Sequence, residues 1–198
     1  MTMKVRVTTT TRWFGALLLA ALGCSSGRGD PIPYDAGMTE PLCTVLVEQH
    51  PSEGAYHIPC TSPADYLTEP PSSGNHYPTW PDYKIYDQPI RWGHLVHAME
   101  HGGVVIVYNC PDGCADDLAR AQAFVTAGPP DPACSTPRVI LAPDPTLDVK
   151  WAAAAWTWTL RADCFDGIAF EKFVVDHLGH ASESICGGYS LDQLCTAP

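Results

Sequence analysis

The sequence predicts a single α+β domain in which two helices cover a small mixed or antiparallel sheet. Short runs of β-branched and aromatic residues predict three strands, at residues 104–108, 138–142 and 151–160. Apolar residues at helical spacing predict helices at residues 116–126 and 165–177. The resulting order, β-α-β-β-α, is typical of helices layered on one sheet.

Each predicted element has a local signal. The first helix stops before Gly128 and two prolines, and Pro143 closes the second strand. The third strand begins with an Ala-rich stretch, but Trp156, Trp158 and Leu160 then alternate with threonine, as on a half-buried strand. The apolar positions of the last helix are Ile168, Phe170, Phe173 and Val174.

The first 23 residues are predicted to be an export signal. Three basic side chains precede an apolar segment, residues 13–22, which is too short to span a bilayer. This segment runs into Ala-Leu-Gly-Cys24, which resembles a bacterial lipobox, and residues 24–42 follow as a polar tether. We expect a lipid anchor on Cys24 and a location in the cell envelope, on the periplasmic or extracellular side. Cleavage without lipidation, followed by secretion, is the alternative.

Residues 43–198 form the predicted globular domain, which is long enough for one hydrophobic core. The whole chain has 11 basic and 22 acidic residues and a formal net charge of −11. Removing the signal takes away three basic residues and no acidic ones, so the mature charge is about −14. This charge argues against binding nucleic acid or anionic lipid electrostatically. Only the lipid anchor is expected to contact a membrane.

Eight cysteines follow Cys24, and an even number in an exported chain predicts four structural disulfides. The pairing cannot be deduced, because eight cysteines allow 105 connectivities. Cys110 and Cys114 flank a Pro-Asp-Gly turn between a strand and a helix, and this loop locally resembles that of Sco copper chaperones and thioredoxin-like proteins. No βαβ unit precedes the loop, which favours a structural bridge. A thiol–disulfide or copper-transfer protein remains the alternative.

Histidines at positions 97 and 101 lie four residues apart, directly before a glycine pair and a buried strand. Residues at this spacing share a face in a helix and also in a strand. His94 joins that face only if the segment is helical. A histidine cluster in this setting indicates a metal site or a proton-transfer site.

Two segments are recognisable as a pair. Residues 70–78 read PPSSGNHYP and residues 96–104 read VHAMEHGGV. Together they resemble the bacterial domain-of-unknown-function family numbered 3105, which carries a PPTSGPHY-like loop and a VHxLEHGGV-like segment. The resemblance spans roughly residues 65–180, with Asn75 in place of the usual Pro and Met99 in place of the usual Leu.

This resemblance implies a shared fold and a shared site at His76, His97 and His101, but no reaction. Three neutral imidazoles with an open fourth position suit zinc, copper or nickel. Glu100 would orient an imidazole or act as a base on bound water. Met99 would share a strand face with the histidines, and together with the exported compartment it places copper slightly ahead of zinc. Because Met99 stands where the family has Leu, core packing is its favoured role. His94 is expected at the periphery.

We therefore expect an exported metal-binding domain rather than an enzyme, and the sequence does not identify any protein partner. Binding should weaken as the pH falls below about 6.5, because only neutral imidazole ligates a metal. Three alternatives remain: histidines that only anchor the loop, metal-free catalysis, and a non-catalytic interaction domain of the cell envelope. His177 and His180, at the end of the last helix, are expected to interact with the helix dipole.

Overall fold

The computed structural model describes residues 43–129, 131 and 133–195. The predicted export signal, the tether and the lipidation site Cys24 lie outside the described residues. The strands are β1 (Val45–Gln49), β2 (Val104–Tyr108), β3 (Val139–Pro143), β4 (Trp151–Ala155) and β5 (Trp158–Ala162). The helices are α1 (Trp92–Glu100), α2 (Ala115–Ala127) and α3 (Gly167–His177), and a 3₁₀ turn spans Leu191–Gln193.

The five strands form one mixed sheet in the order β1-β5-β4-β2-β3. Only β2 and β3 run parallel, and the other neighbouring pairs are antiparallel. The predicted α+β class, the single domain and the mixed sheet are confirmed. The described chain adds a third helix, α1, and an edge strand, β1, to the predicted order, and the third predicted strand is divided into β4 and β5.

Alternate residues of the strands divide the core into two layers. On β2, Val104 and Ile106 pack in the layer that contains α2 and α3, whereas Val105 and Val107 pack in the layer that contains α1. The central strand is therefore covered on both faces, which explains its continuous apolar sequence. The sheet thus separates α1 from the other two helices.

Residues 151–160 form part of a hairpin rather than one strand. Trp156 and Thr157 make the turn between β4 and β5, and Thr157 has a φ of 65°. This backbone region is rare for a β-branched residue. The turn also lacks the Asn-Gly pair that usually marks a two-residue hairpin in a sequence. The Thr157 N–H donates to the Ser72 carbonyl (2.8 Å), and the Thr157 carbonyl accepts from the His50 N–H (2.8 Å). Tertiary contacts therefore hold a turn that the local sequence does not favour.

Helix α1 has no solvent-exposed face, because eight of its nine residues are buried. Its polar residues His94, His97 and Glu100 nevertheless recur at helical spacing, whereas Val96 and Met99 pack toward the sheet. The helix ends at Glu100, and in the turn that follows, Gly102 has a φ of 84° and donates its N–H to the Met99 carbonyl (2.9 Å). A Cβ atom at Gly102 would lie 2.8 Å from Nη1 of Arg138, so glycine is required there on both conformational and steric grounds.

The two helices on the other face match their predictions closely. Helix α2 ends at Gly128, as expected, and α3 begins after Asp166. The Asp166 carboxylate accepts from the N–H groups of Ile168 and Ala169, both at 3.0 Å, and such a cap stabilises a helix by about 1 kcal/mol. Among the described residues, no helix has the length and apolar character needed to cross a membrane.

All eight described cysteines are paired, as predicted. The four disulfides are Cys43–Cys164, Cys60–Cys195, Cys110–Cys114 and Cys134–Cys186. Three of them join segments at least 52 residues apart in sequence. They tie the irregular segments before and after the central sheet to the rest of the domain.

Candidate metal centre

Helix α1 and the irregular segment before it bring the predicted histidines together. His76 pairs with the segment at residues 56–58: its N–H donates to the Tyr56 carbonyl (3.0 Å), and its carbonyl accepts from the Ile58 N–H (2.8 Å). His57 and His76 therefore lie side by side, with ring centroids 5.0 Å apart. Two histidines of the irregular segment thus face the same region.

A close backbone contact docks this segment on α1. The Tyr77 N–H donates to the Gly93 carbonyl (3.0 Å), and a Cβ atom at Gly93 would lie only 2.4 Å from the Tyr77 ring. Glycine at position 93 is what lets the segment approach the helix. As a result, the ring centroid of His97 lies 4.6 Å from that of His76 and 4.5 Å from that of His101.

Backbone carbonyls determine which ring nitrogen carries the proton in two of these histidines. Nδ1 of His76 lies 2.9 Å from the Gly74 carbonyl, and Nδ1 of His97 lies 2.6 Å from the Tyr77 carbonyl. Because a carbonyl only accepts, Nδ1 must donate, and in a neutral ring Nε2 then keeps its lone pair. Histidines that bind metals commonly donate their other N–H to a carbonyl in this way.

Nε2 of His76 is buried and lies 2.9 Å from Oε2 of Glu100. Despite this distance, the contact lacks hydrogen-bond geometry, and this nitrogen has no hydrogen-bond partner among the described residues. A buried polar atom without a partner costs about 1–3 kcal/mol. Here a nitrogen lone pair and a carboxylate oxygen approach each other without a hydrogen bond. One cation could be bound by both atoms.

Two overlapping groups of donor atoms lie in this region, and within each group the atoms are all within 4.8 Å of one another. The first group consists of His57, His76, His97 and Glu100. The second group consists of Glu100, His101 and Glu183. We call these six residues the histidine–glutamate cluster. Of the three histidines predicted as ligands, His76 and His97 belong to the first group and His101 to the second.

The cluster has a buried floor and an open rim. His76, His97 and His101 are at most 2% exposed, whereas His57 is exposed and the Glu183 side chain is 50% exposed. The indole of Trp80 packs against the floor, with its ring centroid 4.1 Å from that of His101 and 4.7 Å from that of His97. Among the described residues, the cluster is therefore exposed to solvent at His57 and Glu183.

Burial keeps the imidazoles neutral. It lowers the pKa of His97 to about 3 and also lowers the pKa of His76. Burial lowers the pKa of His101 as well, although the nearby Glu183 carboxylate acts in the opposite direction. The pKa of Glu100 is raised, mainly by burial and further by the charge of Glu183. Neutral imidazoles are the form that ligates a metal.

Two of the predicted supporting residues point elsewhere. Nδ1 of His94 lies 2.7 Å from the Thr79 carbonyl and its Nε2 lies 3.4 Å from the Cys195 carbonyl, so His94 attaches α1 to the neighbouring segments although it is helical. Met99 is fully buried in the core layer between α1 and the sheet. The prediction that Met99 shares a face with the histidines assumed a strand, and in a helix residues two apart point in different directions. Only Glu100 joins the cluster.

The histidines at the end of α3 lie in a separate place. The His177 ring stacks on Trp158 at 4.5 Å, and burial lowers the pKa of His177 to about 4. A neutral ring gains nothing from the helix dipole, so that prediction is wrong for His177. Nδ1 of His180 lies 2.7 Å from the Asp176 carbonyl on the exposed helix end.

His57 and Glu183 are the members of the cluster that sequence reasoning missed. Neither lies in a periodic element or in a recognisable motif. Each, however, stands three residues before a disulfide-bonded cysteine, Cys60 for His57 and Cys186 for Glu183. The disulfides hold these two segments against the domain. Closeness to a cysteine was therefore the available sequence signal that these polar residues lie near the domain.

The fold and the site define a disulfide-bonded α+β domain with a buried cluster of histidine and glutamate. A family model described as "Protein of unknown function (DUF3105)" matches residues 57–187, which is more than half of the chain. The chain therefore belongs to this family, and the predicted resemblance is confirmed. All six residues of the histidine–glutamate cluster lie within the match. No curated protein and no solved structure matches the chain.

Proposed function

We propose that the domain binds a divalent transition metal through the first donor group, His57, His76, His97 and Glu100. The observation that carries this proposal is that the four donor atoms all lie within 4.8 Å of one another. Three nitrogens and one oxygen complete a four-coordinate shell. The carbonyl contacts of His76 and His97 support the proposal further, because they leave Nε2 free to ligate.

The proposed metal is Cu²⁺ or Zn²⁺. Imidazole suits both ions, and a carboxylate completes the shell of either one. The thioether of Met99, which would favour copper as a ligand, packs in the core and not beside the imidazoles. Only the exported compartment then favours copper, so the affinities for the two metals are to be compared directly.

The proposed location is the cell envelope, with the chain exported and attached by a lipid on Cys24. Four disulfides support an oxidising compartment, because such bridges form and persist outside the cytoplasm. The lipid anchor rests on the sequence around Cys24 alone.

A second candidate is a non-catalytic interaction domain in which the histidines only hold the structure together. The bonds from His76 to the Gly74 carbonyl and from His97 to the Tyr77 carbonyl favour it, since they fasten the irregular segment to α1 without a metal. The same contacts therefore fit both candidates. The unpartnered Nε2 of His76 distinguishes them, because an anchor does not require a buried nitrogen without a hydrogen bond.

The test is a calorimetric titration of chelator-treated protein, purified without a polyhistidine tag, with Zn²⁺ and with Cu²⁺. We expect at least one equivalent of one metal to bind with a Kd below about 1 µM, since structural zinc sites are worth about 10–16 kcal/mol. The matched control is the His180→Ala variant, which lacks an exposed histidine outside the cluster and should bind as the wild type does. If the folded wild type binds neither metal, the interaction domain replaces this proposal.

The thiol-exchange alternative gives a further prediction. Cys110 and Cys114 lie outside both donor groups of the cluster, so replacing both by Ser should leave the metal affinity unchanged. Because this bridge closes a loop far shorter than 15 residues, its loss should cost less than about 3 kcal/mol of stability. The measurements are a zinc titration of the double variant and a thiol count of the wild type in a glutathione buffer. Selective reduction of this bridge would instead support thiol exchange.

A further inference from the structure

We propose that the histidine–glutamate cluster holds two cations, with the Glu100 carboxylate shared between them. This inference rests on the proposed metal site and extends it. The first cation is the one described above. The second is held by the second donor group, Glu100, His101 and Glu183.

The ligand count is the first argument. His57, His76, His97 and Glu100 complete the shell of one tetrahedral ion without any help from His101. His101 is nevertheless directed at the same region, because its Nε2 lies 3.2 Å from Nε2 of His97 and 3.0 Å from Oε2 of Glu183. The two donor groups have only Glu100 in common. A carboxylate has two oxygens, so one residue can serve two neighbouring ions.

The distances agree with the spacing of two-metal sites. In such sites the ions lie about 3.5–4 Å apart and are bound by nitrogens at about 2.0–2.1 Å. Nε2 atoms 3.2 Å apart can therefore each face a different ion. Two dications repel each other, and the two carboxylates, Glu100 and Glu183, supply the negative charge that reduces this repulsion.

Buried contacts fix the backbone that carries two ligands of the second cation, His101 and Glu183. The buried Arg138 donates to the His101 carbonyl (2.5 Å) and to the Ser184 hydroxyl (3.2 Å), and so joins the end of α1 to the segment that carries Glu183. The charge of Arg138 is matched by Asp131, at 2.7 Å, and is therefore not an uncompensated charge beside a cation. The Cys134–Cys186 bridge fastens the same segment.

The two positions are not equivalent. The first has four protein ligands, whereas the second has three, one of which is the half-exposed Glu183. Three protein ligands leave a coordination position for water or another small ligand, as in catalytic zinc sites. The second ion should therefore bind more weakly and exchange faster than the first.

The experiment measures how many ions bind. The tag-free, chelator-treated full domain is dialysed to equilibrium against Zn²⁺ at a series of free concentrations, and the bound metal is counted by elemental analysis. We expect two equivalents for the wild type and for the Glu171→Gln control, which changes an exposed carboxylate on α3. The Glu183→Gln variant should bind one equivalent, with the affinity of the tighter site retained. Circular dichroism verifies that each variant is folded.

A second readout uses Cu²⁺ and electron paramagnetic resonance. The signal should grow with the first equivalent and then broaden or decrease with the second, because ions about 3.5–4 Å apart couple magnetically. One equivalent in both the wild type and Glu183→Gln overturns the two-cation inference and leaves the proposed function standing. Two equivalents in both overturn the assignment of Glu183. No binding at all overturns the proposed function as well.

Discussion

Replacing His97 by Asn should lower the affinity for Zn²⁺ by at least about 100-fold while the domain stays folded. A structural zinc site is worth about 10–16 kcal/mol, so one ligand of four accounts for about 3 kcal/mol, and each 1.4 kcal/mol is a factor of ten. The Asn amide nitrogen takes the place of Nδ1 and keeps the bond to the Tyr77 carbonyl. The substitution therefore removes the metal ligand and preserves the anchor.

This substitution separates the two candidate functions. If His97 only fastens the irregular segment to α1, then His97→Asn should resemble the wild type, and His97→Ala should be destabilised because it removes the bond to Tyr77. If His97 is a ligand, both variants should lose affinity. The affinity is measured by zinc titration and the stability by urea unfolding, with His180→Asn as the control. A His97→Asn variant that binds zinc like the wild type would rule out His97 as a ligand.

The metal-free protein should lose stability steeply as the pH falls below about 6.5, the ordinary histidine value. Burial lowers the pKa of His97 to about 3 and that of His177 to about 4, and it also lowers the pKa values of His76, His94 and His101. Between each lowered pKa and about 6.5, the unfolded chain binds protons that the folded chain does not. Acid therefore favours unfolding, by up to about 1.4 kcal/mol per pH unit for each such histidine.

Glu100 acts in the opposite direction. Its pKa is raised by burial, so the folded protein holds a proton that the unfolded chain releases, and acid favours the folded state over that range. One carboxyl offsets only part of the effect of five histidines. The net expectation is full stability above about pH 6.5 and a progressive loss below it.

Urea unfolding midpoints at pH 7.5, 6.5, 5.5 and 4.5, measured with chelator present, test this expectation. The His97→Asn variant is the matched comparison, and its stability should depend less on pH because one buried imidazole is gone. Equal midpoints at all four pH values would contradict the expectation. The same lowered pKa values imply that metal binding weakens only at a lower pH than the 6.5 expected from unperturbed histidine.

The strands and helices that were predicted are those whose burial is reflected in a local pattern of apolar residues. Strand β2 is a continuous apolar run because both of its faces are covered, and α2 and α3 have the spacing of helices with one buried side. Helix α1 is short and almost completely buried, so no solvent-exposed face marks it, and the spacing of His97 and His101 fits a helix and a strand alike. The hairpin turn at Thr157 depends on Ser72 and His50, which are distant in sequence.

The sequence by itself determined the α+β class, the full set of disulfide-bonded cysteines, the family, and the histidines at positions 76, 97 and 101 as the residues of interest. Only the tertiary structure decided that His57 and Glu183 join them and that Met99 and His94 do not. The physical reason is that motif residues lie close together along the chain, whereas His57 and Glu183 reach the cluster through irregular segments. Those segments follow paths set by disulfides and buried contacts, and no local pattern encodes such a path.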